Sequence, residues 1–284
     1  MAAEPRSRRP ARSKLKAFLR ALRLLAVVYL GVVLVFLFFE NWLIYHPTKA
    51  AENWGEPTFS DWEDVNDLTT SGGIKIHAWW CPRQSTDGVL LFCHGNAGNI
   101  SDRAQFIPML QTELGVSVLI FDYPGYGKSD GNVSEQGCYA AAEAAFKYLT
   151  TKKNTPPEKI ILLGNSLGGG VATHLAEKNP HRALILSKTF TSLPDVGQRL
   201  YPRMPVRLFM RNQFPILSKL PNCRRPVILV HGQRDGLVPF DHAEQLYRAA
   251  NEPKMFYTLP EGDHNTPLPV EFFQEAKRFL EKNK

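Results

Sequence analysis

Ser166 stands between glycines in the run Gly164-Asn165-Ser166-Leu167-Gly168, after an apolar, β-rich stretch at 160–163 and ahead of a helical pattern at 167–178. Glycine-x-serine-x-glycine at a strand-to-helix junction is a nucleophile elbow, in which the glycines permit a turn so tight that the serine Oγ projects into the open. The helix behind it aims its N-terminal N–H groups and dipole at negative charge developing on a carbonyl oxygen. That is the chemistry of acyl transfer. A glycine-rich packing turn is the competing reading, and the flanking elements weigh against it.

A serine nucleophile needs a base, and the base needs an acid to orient it. Behind such an elbow the chain order is serine, then Asp or Glu, then His. An apolar run at 227–230 leads into His231-Gly232-Gln233-Arg234-Asp235, and one at 255–259 leads into Glu261-Gly262-Asp263-His264. Asp235 and His264 therefore fall at strand ends in the required order. Taken singly, Asp235 reads as a turn former and His264 as a loop histidine; together with Ser166 they read as acid and base. Asp263, adjacent to His264, is poorly placed to reach its Nδ1. An oxyanion site takes one N–H from the residue after the nucleophile, Leu167, and one from an earlier strand end. His94-Gly95-Asn96-Ala97-Gly98-Asn99 follows the run at 89–93 and offers the Asn96 amide, with His94 as a structural histidine of the turn.

These residues need elements to hold them. Apolar β-rich runs at 74–80, 89–93, 116–121, 160–163, 183–186, 227–230 and 255–259 alternate with helical patterns at 102–114, 135–149, 167–178, 241–250 and 270–281. Such alternation predicts a mostly parallel sheet covered by helices on both faces, with its site at the C-terminal strand ends. Residues 190–223 break the rhythm with Pro194, Pro202, Pro205, Pro215 and Pro221. That stretch is too long for an ordinary connection and reads as an inserted cap.

The formal charge of +7 is local: residues 1–23 hold eight bases and Glu4, and the rest of the chain holds 26 bases and 26 acids. The basic pI therefore describes an N-terminal tail and not the folded body; a basic tail could bind nucleic acid, but the segment that follows explains it better. The next residues, 24–39, read LLAVVYLGVVLVFLFF, about 24 Å of helix against a ~30 Å hydrocarbon core. Flanking residues through Tyr45 complete a span, with Trp42 and Tyr45 as interfacial anchors. Small residues for signal cleavage are missing after the apolar run. The expected organisation is a basic cytoplasmic tail at 1–23, a transmembrane anchor at 24–45, a short tether, and a body at 46–284 on the extracytoplasmic side. Sequons at Asn99 and Asn132 matter only in a eukaryotic lumen. Cys81, Cys93, Cys138 and Cys223 lack C-x-x-C spacing, which argues against a zinc or redox motif.

The turn at 94–99, the segment Phe121-Asp122-Tyr123-Pro124-Gly125-Tyr126-Gly127-Lys128-Ser129, the serine elbow and His231-Gly-x-x-Asp235 together resemble the α/β-hydrolase superfamily. They are most similar to its small-cap, N-terminally anchored branch of alpha/beta hydrolase domain-containing proteins, over residues ~40–282. The resemblance implies an α/β-hydrolase fold preceded by one transmembrane helix, with Ser166 as nucleophile, His264 as base, Asp235 as orienter, and the Asn96 and Leu167 amides as oxyanion donors. It implies no metal and no organic cofactor. Members include esterases, lipases, thioesterases and peptidase-like enzymes. The chain departs from the family at Pro124, where relatives usually carry arginine, and at Lys188, where an acid is common.

The cap carries Arg199, Arg203, Arg207 and Arg211 at intervals of four, interleaved with Met204, Leu208, Phe209, Met210 and Phe214. A basic and apolar face of this kind suits an anionic bilayer, although charge runs are usually solvated surface. The expectation is a membrane-anchored serine hydrolase acting on a small-molecule or lipid-like ester or thioester with a hydrophobic acyl group. A peptidase-like amide hydrolase and a non-catalytic binding protein of the same fold are the alternatives.

Overall fold

A computed structural model describes residues Pro10–Asn283, so Arg6, Arg8 and Arg9 of the basic tail, and the side chain of Arg12, lie outside the described residues. The chain divides into two units at residue 43. Helix α1 (Pro10–Phe38) lies in the first, and a short helix, Glu40–Ile44, follows it along the chain and runs into the first residue of the second. The stretch Lys14–Phe38 is long and apolar enough to cross a membrane by length and composition.

In the second unit, eight strands form one sheet: β1 (Glu63–Thr69), β2 (Lys75–Cys81), β3 (Val89–Cys93), β4 (Ser117–Phe121), β5 (Ile160–Asn165), β6 (Ala183–Ser187), β7 (Val227–Gly232) and β8 (Lys254–Leu259). Their order is β1-β2-β4-β3-β5-β6-β7-β8. β2 pairs antiparallel with β1 and β4, and the strands from β4 to β8 pair in parallel. The central strands read as unbroken apolar runs because both faces are covered. Alternate residues serve opposite cores: Leu91, Leu162, Leu184 and Leu229 point to one, Leu90, Ile161, Ile185 and Ile228 to the other. The first core lies beneath α3 (Glu135–Thr151), α4 (Leu167–Lys178) and α8 (Phe240–Ala249), and the second beneath α2 (Ile107–Leu114) and α9 (Val270–Lys282).

β1 escapes the sequence pattern. A register shift between Val65 and Leu68 sets its two buried residues three apart, which erases the period of two that marks a strand. The helix expected at 102–114 is a 3-10 helix, Ile100–Phe106, that passes into α2, with Pro108 in the first turn of α2, where its missing N–H costs nothing.

Between β6 and β7 the insertion folds as three short α-helices, α5 (Leu193–Leu200), α6 (Val206–Phe209) and α7 (Ile216–Lys219), and a 3-10 helix, Leu220–Asn222, with no strand. The buried Glu135 carboxylate fastens it by accepting from the Gln213 amide at 2.5 Å and the Phe214 amide at 3.0 Å. In the insertion, Arg207 pairs with Asp195 at 2.8 Å while Leu208 stays 79% exposed.

Two expectations about the end of the anchor are corrected. Tyr45 is not an interfacial residue: it is 2% exposed within the second unit, and its hydroxyl donates to Asn212 Oδ1 of the insertion at 2.7 Å. Nor is the segment after it a free tether, because His46–Pro47 pairs in parallel with Ala97–Gly98. Backbone donors that meet fixed acceptors, and a ring that finds a dry site, hold the segment to the body. The Asn99 sequon is closed as well. Its side chain is fully buried and donates to the carbonyls of Thr48 and Asn53. All four cysteines are free and buried.

Candidate active site

The elbow forms where β5 turns into α4. Ser166 adopts φ 52° and ψ −118°, a conformation that costs a non-glycine residue of order 1–3 kcal/mol. The turn around it over-determines this strain. The Ser166 amide donates to the Ser187 carbonyl at 2.9 Å, and its own carbonyl accepts from the Gly169 amide at 2.9 Å and the Thr189 hydroxyl at 2.7 Å. Glycine is required at 168, where a Cβ would strike the carbonyls of Cys93 and His94.

Loops from the ends of β7 and β8 bring the partners in. His264 Nε2 lies 3.0 Å from Ser166 Oγ, across 98 residues of chain, and His264 Nδ1 lies 2.7 Å from Asp235 Oδ2. Asp235 Oδ1 accepts from the amides of Leu237 at 3.0 Å and Val238 at 2.8 Å. Burial opposes ionisation of Asp235, but the bonds from His264 and Val238 outweigh it and hold the carboxyl below the usual carboxylate range. Asp263 shapes the loop instead, its Oδ1 accepting from the amides of Asn265 and Thr266. In this arrangement Asp235 orients an imidazole whose Nε2 can take the serine proton.

Leu167 is the first residue of α4, so its N–H lacks an intrahelical partner. On the 94–99 turn, the carbonyls of its first three residues are tied by side chains. The His94 carbonyl accepts from the Tyr123 hydroxyl at 2.8 Å, the Gly95 carbonyl lies 2.7 Å from His94 Nδ1, and the Asn96 carbonyl accepts from the Tyr126 hydroxyl at 2.7 Å.

Two further side chains, His231 and Lys188, meet the acid and the His264 loop, roles that no local pattern assigns. His231 lies 3.4 Å from Asp235 Oδ2 and donates from Nε2 to the Val238 carbonyl at 2.7 Å. Burial pulls its pKa down, so a neutral imidazole backs the acid. Lys188, at φ 49°, is buried and its ammonium bonds the Thr266 carbonyl of the His264 loop. Burial lowers its pKa against the opposing pull of Asp235 and Asp263.

His94 stacks on Tyr123 with centroids 4.3 Å apart and is fully buried. Burial, helped by the Arg103 charge, pushes its pKa down to about 3 from 6.5. Between those two values the unfolded chain binds a proton that the folded chain refuses. Stability from this group is therefore complete above about pH 6.5 and falls as pH drops, at up to about 1.4 kcal/mol per pH unit. Thermal unfolding between pH 7 and pH 5 is expected to show a flatter pH dependence in His94→Gln than in the wild type. Equal slopes would mean that His94 is solvated or paired in the native state.

A family-level match to the alpha/beta hydrolase fold covers residues 88–216. A Mycobacterium tuberculosis protein, Rv2307c, is 36% identical over 253 residues, 87% of this chain and 89% of its own length. The alpha/beta hydrolase domain-containing protein WAV2 of Arabidopsis thaliana is 30% identical over 263 residues, 84% of this chain and 85% of its own. Among solved structures, the Pyrococcus furiosus esterase Pf2001 superposes with a TM-score of 0.67 at 22% identity, covering 84% of this chain and 97% of the esterase. Est1E of Butyrivibrio proteoclasticus, solved with ferulic acid, superposes at 0.63 and 20% identity, covering 76% and 98%. With 30% identity across 85% of WAV2, the chain belongs to the α/β-hydrolase superfamily.

Proposed function

We propose that this protein is a membrane-anchored serine hydrolase that cleaves an ester or thioester through an acyl-enzyme on Ser166. The observation that carries the reading is the continuous relay of Asp235, His264 and Ser166 at 2.7 and 3.0 Å. Ser166 Oγ attacks the acyl carbonyl as His264 Nε2 accepts its proton, and the carbonyl oxygen becomes an oxyanion facing the Leu167 and Asn96 amides. His264 returns the proton to the leaving alcohol or thiol, and the C–O or C–S bond breaks. Water, deprotonated by the same imidazole, then releases the acid and restores the serine. Leu237, 47% exposed two residues beyond Asp235, supports a hydrophobic acyl group. The test is turnover of p-nitrophenyl esters and acyl thioesters of graded chain length, beside labelling with a fluorophosphonate. A folded chain that does neither would favour a non-catalytic binding protein.

α1 serves as the anchor, with the basic residues 1–23 in the cytoplasm and the body on the opposite side. In sealed vesicles of native orientation, added protease is expected to leave the body intact until the membrane is opened with detergent. Digestion of the body from the cytoplasmic side would reverse the topology.

A further inference from the structure

The segment that leaves the anchor is bonded into the turn that presents the oxyanion donor. His46 and Pro47 lie in parallel register with Ala97 and Gly98, and a further bridge joins Lys49 to Gly127. The His46 amide donates to the Asn96 carbonyl at 3.0 Å, and the Thr48 amide to the Gly98 carbonyl at 3.2 Å. In the other direction Asn96 Nδ2 donates to the Ile44 carbonyl at 2.8 Å, and Asn99 Nδ2 to the Thr48 carbonyl at 3.2 Å. The Gly127 amide also donates to the Thr48 carbonyl, at 3.0 Å. Tyr45 closes the set from its buried position through Asn212.

We propose that Ile44–Thr48 is a positioning strap whose bonds to Asn96 aim the Asn96 amide at the oxyanion. The inference rests on the acyl-transfer reading above. Its physical ground is the freedom of the turn. Gly95 precedes Asn96 and has no Cβ to restrict rotation, so the direction of the Asn96 N–H depends on the bonds that hold Asn96 and the peptide before it. The strap holds Asn96 at two points, its side-chain amide and its carbonyl, while His94 Nδ1 holds the carbonyl of the Gly95–Asn96 peptide on the side opposite the N–H. A donor left free to swing must be aligned at the moment of reaction, and the benefit of preorganisation is lost. The strap touches no reacting atom; it acts through Asn96.

The test uses the full chain in detergent micelles or vesicles. His46→Pro deletes the N–H that bonds the Asn96 carbonyl, at a position whose side chain is exposed. Asn96→Ala deletes the side-chain bond to Ile44 and keeps the peptide N–H. Outright removal of an oxyanion donor costs about 10²–10³ in kcat, so a misaimed one is expected to lower kcat about tenfold in each variant. KM should stay within about twofold and the thermal midpoint close to wild type. Affinity for an alkyl trifluoromethyl ketone, which becomes an oxyanion on the serine, should fall in parallel with kcat.

Unchanged kcat and ketone affinity in variants of an active wild type would overturn the strap alone. So would a rise in KM at constant kcat, or a loss that follows only the unfolded fraction. Should His46→Pro fail to fold, Asn96→Ala still decides. A wild type that neither labels nor turns over any ester sinks the acyl-transfer reading itself, which is a separate result.

Discussion

Ser166→Ala is expected to abolish fluorophosphonate labelling and to lower kcat for the best ester by about 10⁶-fold, the loss seen when the nucleophile of a serine relay is removed. Two features make this a clean deletion. The backbone of residue 166 is set by bonds from its own amide and carbonyl to Ser187, Gly169 and Thr189, and none of them uses the side chain. His264 keeps its bond to Asp235, so the base remains in place with nothing to deprotonate. The variant should unfold at the wild-type temperature and still bind substrate. Residual labelling at another residue, or turnover within tenfold of wild type, would remove Ser166 from the chemistry.

Asp235→Asn is expected to cost about 10⁴ in kcat with little change in fold. The geometry dictates why so small a change is so severe. Oδ1 of residue 235 faces two N–H donors, from Leu237 and Val238, so an asparagine there must place its carbonyl oxygen on that side. Its NH₂ then faces His264 Nδ1, which must accept instead of donate. The ring proton moves to Nε2, the atom 3.0 Å from Ser166 Oγ, and the imidazole can no longer take the serine proton. Measured kcat beside a fluorophosphonate labelling rate would show both losses together. Turnover near wild type would mean that Asp235 only shapes its loop.

The carboxylate itself does not titrate in the working range. Its pKa lies below the usual carboxylate range, so the charge on Asp235 and the stability it contributes are present above that range. The charge is lost as pH falls through the lowered value, and the stability falls progressively from the usual carboxylate range down to it.

The site was legible in the sequence to the extent that its parts are local. Two glycines around a serine, a strand before and a helix after specify a turn whatever the rest of the chain does, and the structure turns there at φ 52°. Helix α4 begins and ends at the expected residues, Leu167 and Lys178, because its period and its bounding residues lie within a dozen positions. The loops bearing Asp235 and His264 were visible for the same reason, as polar runs following apolar ones at the ends of what became β7 and β8.

What lay beyond reach was contact between distant segments. β1 is recognisable only through its pairing with β2, since the register shift removes its alternation. Nothing near Tyr45 or His46 marks them as partners of Asn212 and Asn96, and an apolar run ending in aromatics reads more simply as a membrane boundary. Lys188 and His231 look like ordinary strand-end residues until β6, β7 and the His264 loop are brought side by side. The sequence by itself determined which backbone turns and element faces can form, because those depend on neighbours along the chain. Only the tertiary structure decided which donors meet which acceptors around Ser166, because the bonds from His264 to Asp235 and to Ser166 span 29 and 98 positions and exist only once the sheet has assembled.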